Sequence, residues 1–284
     1  MRVTLLANPG SGRDTDPEAL AAALRERGAD VDAFPIDALT DAERAAAHGQ
    51  RLVVAGGDGS IGPAAQAAAH AGVPLAVVPT GTANDFARAM RLPLRREAAL
   101  DLAADPAAPT TRIELLRAGD RPFVNAASTG LGVVAARQAR PLKSRLGPLA
   151  YAVGGVRAGL TAHPVSLRIA ADGHEAFEGE AWQVIVGGTG AFGGGSRLGQ
   201  ADERDEILDV AIVRRGSRAA LALRAWGMRT GTLEEQRGVR HVRARRVEMQ
   251  VPPETEFNVD GELCALRPAT FDVQPGGVEV VIAR

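Results

Sequence analysis

Short apolar runs alternate with alanine-rich segments through about the first 90 residues of the chain. The apolar runs predict strands buried on both faces of a sheet, at Val3–Ala7, Val31–Phe34, Leu52–Ala55 and Leu75–Val78. The segments between them are rich in Ala, Leu or Glu and open with Pro or Asp, which predicts helices at Pro17–Arg27, Asp41–His48 and Pro63–Ala71. This alternation is typical of a parallel sheet covered by helices.

The pattern changes from about Thr110 onward, where apolar runs carry β-branched and aromatic residues and are separated by turn residues. Such spacing predicts antiparallel strands. We expect them at Arg112–Leu116, Pro122–Ala126, Val165–Ile169, Trp182–Val186, Leu208–Val213, Val239–Val251, Thr270–Val273 and Val278–Ile282, with a turn at Pro275-Gly276-Gly277 before the last. Two helices, at Gly147–Leu160 and Arg218–Thr230, are predicted among these strands, and Trp182 and Trp226 are interpreted as core residues.

The Pro-rich stretch Asp105–Pro109 separates the two patterns and is the predicted domain boundary. The predicted fold is an α/β N-terminal domain at residues 1–108, followed by a mostly antiparallel β-sandwich domain at residues 109–284. An alternative is that the last residues pack back on the first domain. A chain of 284 residues is long enough to bury a core in each.

The composition of the chain argues against several classes of function. The chain has 33 basic and 34 acidic residues, whereas nucleic-acid binders usually carry a basic surface, so we expect no nucleic-acid partner. Cys264 is the single cysteine, which excludes a disulfide framework and favours a reducing cytoplasm. Lys143 is the single lysine, and no Gly-Lys-Ser/Thr phosphate loop is present. No apolar stretch reaches the roughly 20 residues that cross a membrane as a helix.

Three predicted strands of the first half end in glycine-rich turns. These turns are Asn8-Pro9-Gly10-Ser11-Gly12, Gly56-Gly57-Asp58-Gly59-Ser60 and Pro79-Thr80-Gly81-Thr82-Ala83-Asn84-Asp85-Phe86. Ligands of open α/β sheets bind at the carboxyl ends of strands, and glycine lets the backbone and a helix N-terminus approach a phosphate. Asp58 would repel phosphates unless a cation lay between them, which indicates Mg²⁺ beside a nucleotide. Taken alone, a Gly-Gly after a strand is more often just a tight turn, and Asn84-Asp85 is also typical of a helix cap.

The three turns, in this order, resemble the diacylglycerol kinase catalytic-domain family, in particular its soluble bacterial lipid kinases. That family shows an Asn-Pro-x-(Ser/Ala)-Gly turn, a Gly-Gly-Asp-Gly-(Thr/Ser) loop and a Gly-Thr-x-Asn-Asp-Phe-Ala segment. Further matches lie at Phe123–Gly130, at Gly193–Gly195 with Ala201–Val210, and at Asp260-Gly261-Glu262. The Gly-Gly-Asp-Gly loop is shared with NAD kinases and phosphofructokinases, so the resemblance implies a similar Rossmann-like nucleotide domain.

The resemblance implies transfer of the ATP γ-phosphoryl group to the hydroxyl of a diacylglycerol-like lipid, in a cleft between the two domains, with ATP and Mg²⁺ as cofactors. It implies a cytoplasmic enzyme that meets its lipid at the inner face of the membrane, and it leaves a homodimer open. Two basic clusters are candidates for attracting an anionic membrane, although such clusters are often solvated faces. They comprise Arg91, Arg95 and Arg96, and Arg137, Arg140, Lys143 and Arg145.

Residue roles follow from the resemblance where its motifs match. Glu262 is the expected base that accepts the proton of the lipid hydroxyl, with Asp260 as second candidate. Asp205 is the expected ligand of a further Mg²⁺, with the backbone carbonyls of Asp202 and Ile207. The expected ATP-binding set is Asn8, Pro9, Gly10, Ser11, Gly12, Gly56, Gly57, Asp58, Gly59, Ser60, Ile61, Gly62, Thr82, Asn84 and Asp85.

Several positions depart from the family pattern. Ser60 stands for the commoner Thr, Gly62-Pro63 stands for Asn-Glu, and Glu206 stands for a glycine whose backbone angle Glu disfavours. No counterpart of a nucleotide-side threonine is found near Phe34–Pro35. Two alternatives therefore stay open: a soluble small-molecule kinase of the NAD kinase type, and a catalytically silent lipid- or nucleotide-binding protein.

Overall fold

The computed structural model describes residues 1–10, 16–139, 141, 149–189, 191–192, 196–198 and 204–284. The chain divides into two compact units. The first unit comprises Met1–Leu115 together with Pro275–Arg284, and the second comprises Leu116–Gln274. The last ten residues are thus part of the first unit.

The first unit alternates strands and helices, as the sequence predicts. Its elements are β1 Arg2–Ala7, α1 Pro17–Glu26, β2 Asp30–Pro35, α2 Leu39–Ala46, β3 Arg51–Gly56, α3 Asp58–Ala71, β4 Leu75–Pro79, α4 Asp85–Ala89 and α5 Arg96–Ala104, followed by β5 Thr110–Ala118. The first four strands pair in parallel in the order β2-β1-β3-β4. Parallel pairing brings the carboxyl ends of β1, β3 and β4 to one edge of the sheet, where the three glycine-rich turns begin.

Burial explains why the apolar runs predict these strands well. Every residue of β3 and β4 is buried, because helices cover a parallel sheet on both faces. Helix α1 starts where expected, since Asp16 caps it and Pro17 occupies its first position. The prediction for α3 is wrong at its start. The helix begins at Asp58, because Gly57 already serves as its N-cap and the motif after it is helical.

The second unit is mostly antiparallel. Its strands are β6 Arg121–Phe123, β7 Ala126–Gly130, β8 Val165–Ala171, β9 His174–Gly187, β10 Ala191–Phe192, β11 Ser196–Arg197, β12 Leu208–Arg214, β13 Val239–Ala244, β14 Arg246–Gln250, β15 Phe257–Val259, β16 Glu262–Cys264 and the start of β17 Ala269–Val281. Its helices are α6 Leu131–Ala139, α7 Leu149–Thr161 and α8 Ala220–Thr230. The long strand β9 pairs antiparallel with β7, β8 and β12.

Three predictions for this unit are corrected by the structure. The run Pro122–Ala126 contains a turn and belongs to two strands, and Val239–Val251 is broken at Arg245 into two strands. Helix α6 was not predicted, because it follows the motif at Phe123–Gly130 without a Pro or Asp start. Trp182 is buried as expected, but Trp226 is 66% exposed and is not a core residue.

The strand β17 replaces two predicted strands and the turn between them. Pro275, Gly276 and Gly277 lie inside this single strand, Ala269–Val281. Gly277 has φ +54°, and a Cβ there would lie 2.1 Å from the carbonyl oxygen of Ile113. The glycine pair therefore permits a close backbone approach, not a chain reversal. The start of β17 pairs antiparallel with β14, and its end pairs parallel with β4 through Val280 and Leu75.

Each unit has its own core. Leu5, Leu24, Val53, Val78 and Leu100 are fully buried members of the first. The second core includes Phe257 and Phe271, whose ring centroids lie 5.8 Å apart. Among the described residues, no helix is both long enough and apolar enough to cross a membrane.

Candidate active site

The Gly-Gly-Asp-Gly loop connects β3 to the start of helix α3. Gly57 is the N-cap and offers no side-chain oxygen to the first helical turn. The N–H groups at such a helix start are available to an anion, and the helix dipole favours negative charge there. Gly57, Asp58 and Gly59 are half-buried, whereas Ser60, Ile61 and Gly62 are buried in the helix interior.

The turn after β1 is attached to this helix by a side-chain hydrogen bond. Asn8 Nδ2 donates to Ser60 Oγ at 2.9 Å, and Asn8 Oδ1 accepts the Gly10 N–H at 3.1 Å. One amide side chain therefore shapes its own turn and holds it against the phosphate loop. Pro9 and Gly10 are exposed, while Ser11 and Gly12 lie outside the described residues.

The third turn, after β4, packs against the second. A Cβ added to Gly81 would lie 2.7 Å from Gly57 Cα, so the two backbones meet where only glycine fits. Asn84 is in the left-handed region at φ 51°, and its Nδ2 donates to the Gly81 carbonyl at 2.9 Å. Asp58 Oδ1 accepts the Phe86 N–H at 3.0 Å, which joins the loop to the start of α4.

The three turns thus form one interlocked cluster in the first unit. Thr82 is exposed at this cluster, and Asp85 is 6% exposed beneath it. Glycines at the points of closest approach, a helix start without a side-chain cap and a carboxylate are the features of a phosphate site that also uses a cation.

Asp260, in the second unit, is a structural acceptor. It is 8% exposed and has φ 45°. Its Oδ2 accepts the Val124 N–H at 2.9 Å, and its Oδ1 accepts the N–H groups of Asn125 and Ala126, both at 3.0 Å. The carboxylate therefore fixes the connection between β6 and β7 at Val124 and Asn125.

Glu262, two residues later, lies at the surface. Its side chain is 55% exposed, and its Oε2 accepts a hydrogen bond from Arg121 Nη2 at 2.8 Å. Cys264 lies on the same strand, and burial raises the pKa of its thiol although Arg121 acts in the opposite direction. The Glu262 carboxylate is thus accessible from solvent and paired with arginine through one oxygen.

Two of the expected metal ligands, Asp205 and Ile207, lie in the described segment just before β12. Asp205 Oδ1 accepts the Ile207 N–H at 3.1 Å, and its Oδ2 pairs with Arg243 of β13. Glu206 adopts φ 56°, the left-handed conformation for which a glycine is favoured. Asp202 lies outside the described residues. Among the described part of the chain, no group of His, Cys, Asp and Glu side chains is arranged to hold a metal.

Sequence reasoning missed the basic partners of these carboxylates. Arg121 and Glu262 are 141 residues apart in sequence, and no local signal links them. A weak signal existed on β13, where His241 and Arg243 alternate with other residues and so share one side of the strand. His241 Nε2 lies 2.6 Å from Oδ1 of the buried Asp209, and Arg243 Nε lies 3.5 Å from the same oxygen.

Two family models match the chain. The diacylglycerol kinase catalytic domain matches residues 2–116, and the YegS C-terminal NAD kinase beta sandwich-like domain matches residues 125–282. A diacylglycerol kinase of Staphylococcus epidermidis is 30% identical over 282 residues, which cover 95% of this chain and 88% of the relative. A diacylglycerol kinase of Staphylococcus aureus strain Newman is 30% identical, covering 95% and 89%.

Solved structures share the fold over almost the whole length. A diacylglycerol kinase of Bacillus anthracis str. Sterne has a TM-score of 0.79 at 22% identity, covering 99% of this chain and 97% of that one. An NAD kinase of Archaeoglobus fulgidus, in complex with ATP, has a TM-score of 0.52 at 15% identity, covering 99% and 93%. The predicted fold class, an α/β domain followed by a β-sandwich-like domain, is confirmed.

Proposed function

The chain belongs to the diacylglycerol kinase family, and from this premise we propose that it transfers the γ-phosphoryl group of ATP to the hydroxyl of a diacylglycerol-like lipid. The observation that carries the proposal is the interlocked cluster of three glycine-rich turns with Asp58 at its centre. Phosphoryl transfer requires mainly positioning of the phosphates, neutralisation of charge and an oriented nucleophile.

In this proposal the first unit binds ATP. The start of helix α3 at Gly57–Gly59 receives phosphate oxygens through backbone N–H groups, and Asn8 and Asn84 keep the flanking turns in place. Pro9, Gly10 and Thr82 complete the surface that faces the nucleotide. The buried Ser60, Ile61 and Gly62 act by shaping the helix start, since they are shielded from solvent.

Mg²⁺, when bound with ATP, supplies positive charge that offsets the phosphates. Asp58 is the residue proposed to face Mg²⁺, because without a cation its carboxylate would be repelled by the phosphates. At the second proposed site, the Asp205 carboxylate already has two partners, the Ile207 N–H and the Arg243 guanidinium. These partners do not fit a metal ligand set as they stand, because a cation would have to displace Arg243.

Glu262 is proposed to accept the proton of the lipid hydroxyl. Arg121 holds Oε2 at 2.8 Å, so the carboxylate keeps a fixed direction while its other oxygen is left to the substrate. Asp260 supports this role indirectly, by fixing the backbone at residues 124–126. We propose no proton transfer to Asp260, because its oxygens already accept three backbone N–H groups. The proposed location is the cytoplasmic face of a membrane, where the lipid lies.

The experiment is transfer of label from γ-labelled ATP, with Mg²⁺, into a panel of lipid alcohols in mixed micelles, with NAD as a separate acceptor. Labelled diacylglycerol product is the expected result. The test variant is Glu262→Gln. Its matched control is Glu178→Gln, because Glu178 also pairs with an arginine at 2.8 Å and its side chain is 56% exposed.

The outcomes separate the alternatives. NADP formation without a lipid product would replace the proposal with a kinase of the NAD kinase type. ATP binding without turnover on any acceptor would favour a catalytically silent binding protein. Equal turnover in the Glu262→Gln and Glu178→Gln variants would reject Glu262 as the base while leaving the lipid kinase assignment in place.

A further inference from the structure

Two helices of the second unit turn large apolar side chains towards solvent. On α7, Val156 and Leu160 are 69% and 72% exposed, and they lie one helical turn apart. On α8, Leu223 and Trp226 are 56% and 66% exposed and again share one side of the helix. We call these four residues the apolar face. Surface apolar residues usually occur singly, and a group of them marks an interaction site.

Helix α8 has little polar surface to balance this exposure. Its other exposed positions include Ala222 and Ala225, and Arg229 is its one exposed charged residue. The two helices are joined by Arg218, whose Nη1 donates to the Gly159 carbonyl and whose Nη2 donates to the Ala162 carbonyl, both at 2.8 Å. The end of α7 and the segment before α8 are therefore in contact through Arg218.

The two chain segments that carry the apolar face have only positively charged side chains. Residues 149–161 and 214–231 contain no Asp or Glu, although the whole chain has a formal charge of −1. Arg215 pairs with Glu180 of β9, and Arg224 donates to the neutral Gln236 Oε1 at 2.7 Å. The arginines of the two segments are Arg157, Arg214, Arg215, Arg218, Arg224 and Arg229.

We propose that the apolar face docks on the surface of an anionic phospholipid bilayer. The inference rests on the proposed function, since a kinase of diacylglycerol-like lipids has to reach a substrate that lies in a membrane. Trp is favoured at the membrane interface, aliphatic side chains enter the boundary of the acyl region, and guanidinium groups bind lipid phosphates. A second copy of the chain is a poorer occupant, because an isologous contact would bring the same arginines against each other.

The chain carries a built-in reporter of this docking. It has two tryptophans, of which Trp182 is 5% exposed and Trp226 is 66% exposed. Adding vesicles of phosphatidylcholine with phosphatidylglycerol should shift the emission of Trp226 to shorter wavelength while Trp182 stays constant. The protein should also sediment with these vesicles, less so as salt is added, and only weakly with pure phosphatidylcholine.

Matched variants test which residues carry the binding. Trp226→Ser should weaken partitioning into the anionic vesicles about tenfold, because a buried indole supplies much of the apolar contact. Leu94→Ser, which changes a 41% exposed leucine of the first unit, should leave partitioning unchanged. Arg157→Glu should weaken partitioning several-fold, whereas Arg44→Glu on α2, whose side chain is 78% exposed, should not.

Three results would overturn the inference. The first is a Trp226 emission that does not shift when vesicles are added, and the second is equal partitioning of Trp226→Ser and the parent protein. The third is a dimer of the parent protein in sedimentation that is absent in Trp226→Ser, because such a dimer would assign the apolar face to a second copy. The vesicle measurements contain no ATP and are therefore independent of catalysis. Turnover of a short-chain diacylglycerol dissolved as monomers should be equal in the parent and Trp226→Ser proteins, and its absence from both would reject the proposed function alone.

Discussion

Asp260 and Glu262 are two residues apart in the sequence, yet their surroundings predict different roles for them. Asp260 is buried and accepts three backbone N–H groups, whereas Glu262 is exposed and pairs with one arginine. A buried acceptor is costly to remove because its donors are left without partners. An exposed ion pair contributes little to stability.

Asp260→Asn should therefore destabilise the protein by about 2–3 kcal/mol, since an amide nitrogen cannot accept the N–H groups that one oxygen now binds. Glu262→Gln should change the unfolding free energy by less than about 0.5 kcal/mol and lower turnover by about 10²–10⁴-fold. Urea unfolding and initial rates measure the two effects. An Asp260→Asn protein as stable as the parent would show that the three backbone N–H groups bound by this carboxylate do not stabilise the fold.

Arg243 competes with any cation for Asp205. Removing it in Arg243→Ala leaves the Asp205 carboxylate without its guanidinium partner, so we expect Mg²⁺ to raise the unfolding temperature of this variant, without nucleotide, more than that of the parent. Arg240→Ala is the control, because Arg240 lies on the same strand but on its other side. An identical Mg²⁺ response in all three proteins would show that Arg243 does not hold the site against a cation.

Sequence reasoning found the residues that a local pattern marks and missed those whose partners are distant in the sequence. The glycine-rich turns were found because each follows a strand, and parallel strands bring their carboxyl ends together. Arg121 and Arg243 were missed because their partners are 141 and 38 residues away, in pairings that only the antiparallel sheet creates. Trp226 was misplaced because hydrophobicity predicts burial only on average.

At the scale of elements, the strand–turn–helix units of the first unit depend on two backbones meeting at Gly57 and Gly81. Gly81→Ala should push the turns apart, because its Cβ would lie 2.7 Å from Gly57 Cα. We expect ATP affinity to fall by at least about tenfold, since phosphate contacts need close backbone approach. Binding of a fluorescent ATP analogue measures it.

Gly155→Ala is the matched control for that change. Gly155 lies in α7 with nothing within 4 Å of an added Cβ, so alanine there should leave ATP binding unchanged. Gly81→Ala protein that binds ATP as tightly as the control would show that the contact of the two turns is not needed for the nucleotide site.

Elements were predicted where one physical factor dominates. Burial on both faces leaves continuous apolar runs, so β1 to β4 agree with their predictions to within two residues. Glycine is used in turns, at helix starts and at close backbone contacts, and the predictions that took glycine pairs as turns were wrong. At Gly57–Gly59 it begins a helix, and at Gly276–Gly277 it lets a strand pass close to Ile113, although both patterns are typical of turns.

At the scale of the whole molecule, the first unit is built from both ends of the chain. Residues 275–284 supply Val278, Val280 and Val281, which are 0–2% exposed, and Val280 pairs with β4. Deleting these residues should remove about 5 kcal/mol of apolar burial, comparable to the stability of a small domain. We expect the shortened protein to lose ATP binding, measured with the same fluorescent analogue.

A point substitution in the same segment serves as the control for this deletion. Val280→Ala retains the strand and should cost about 1–3 kcal/mol, leaving ATP binding measurable at low temperature. If the shortened protein bound ATP like the parent, residues 275–284 would be dispensable for ATP binding.

The return of the chain to its first unit has a consequence for synthesis. A ribosome makes the N-terminal segment first, and most domains fold as they emerge. Here the sheet that carries the glycine-rich turns stays one strand short until about 160 further residues have been translated. We therefore expect unfinished chains not to bind nucleotide at the proposed site while they are still attached to the ribosome, so that ATP binding would require translation through residues 275–284.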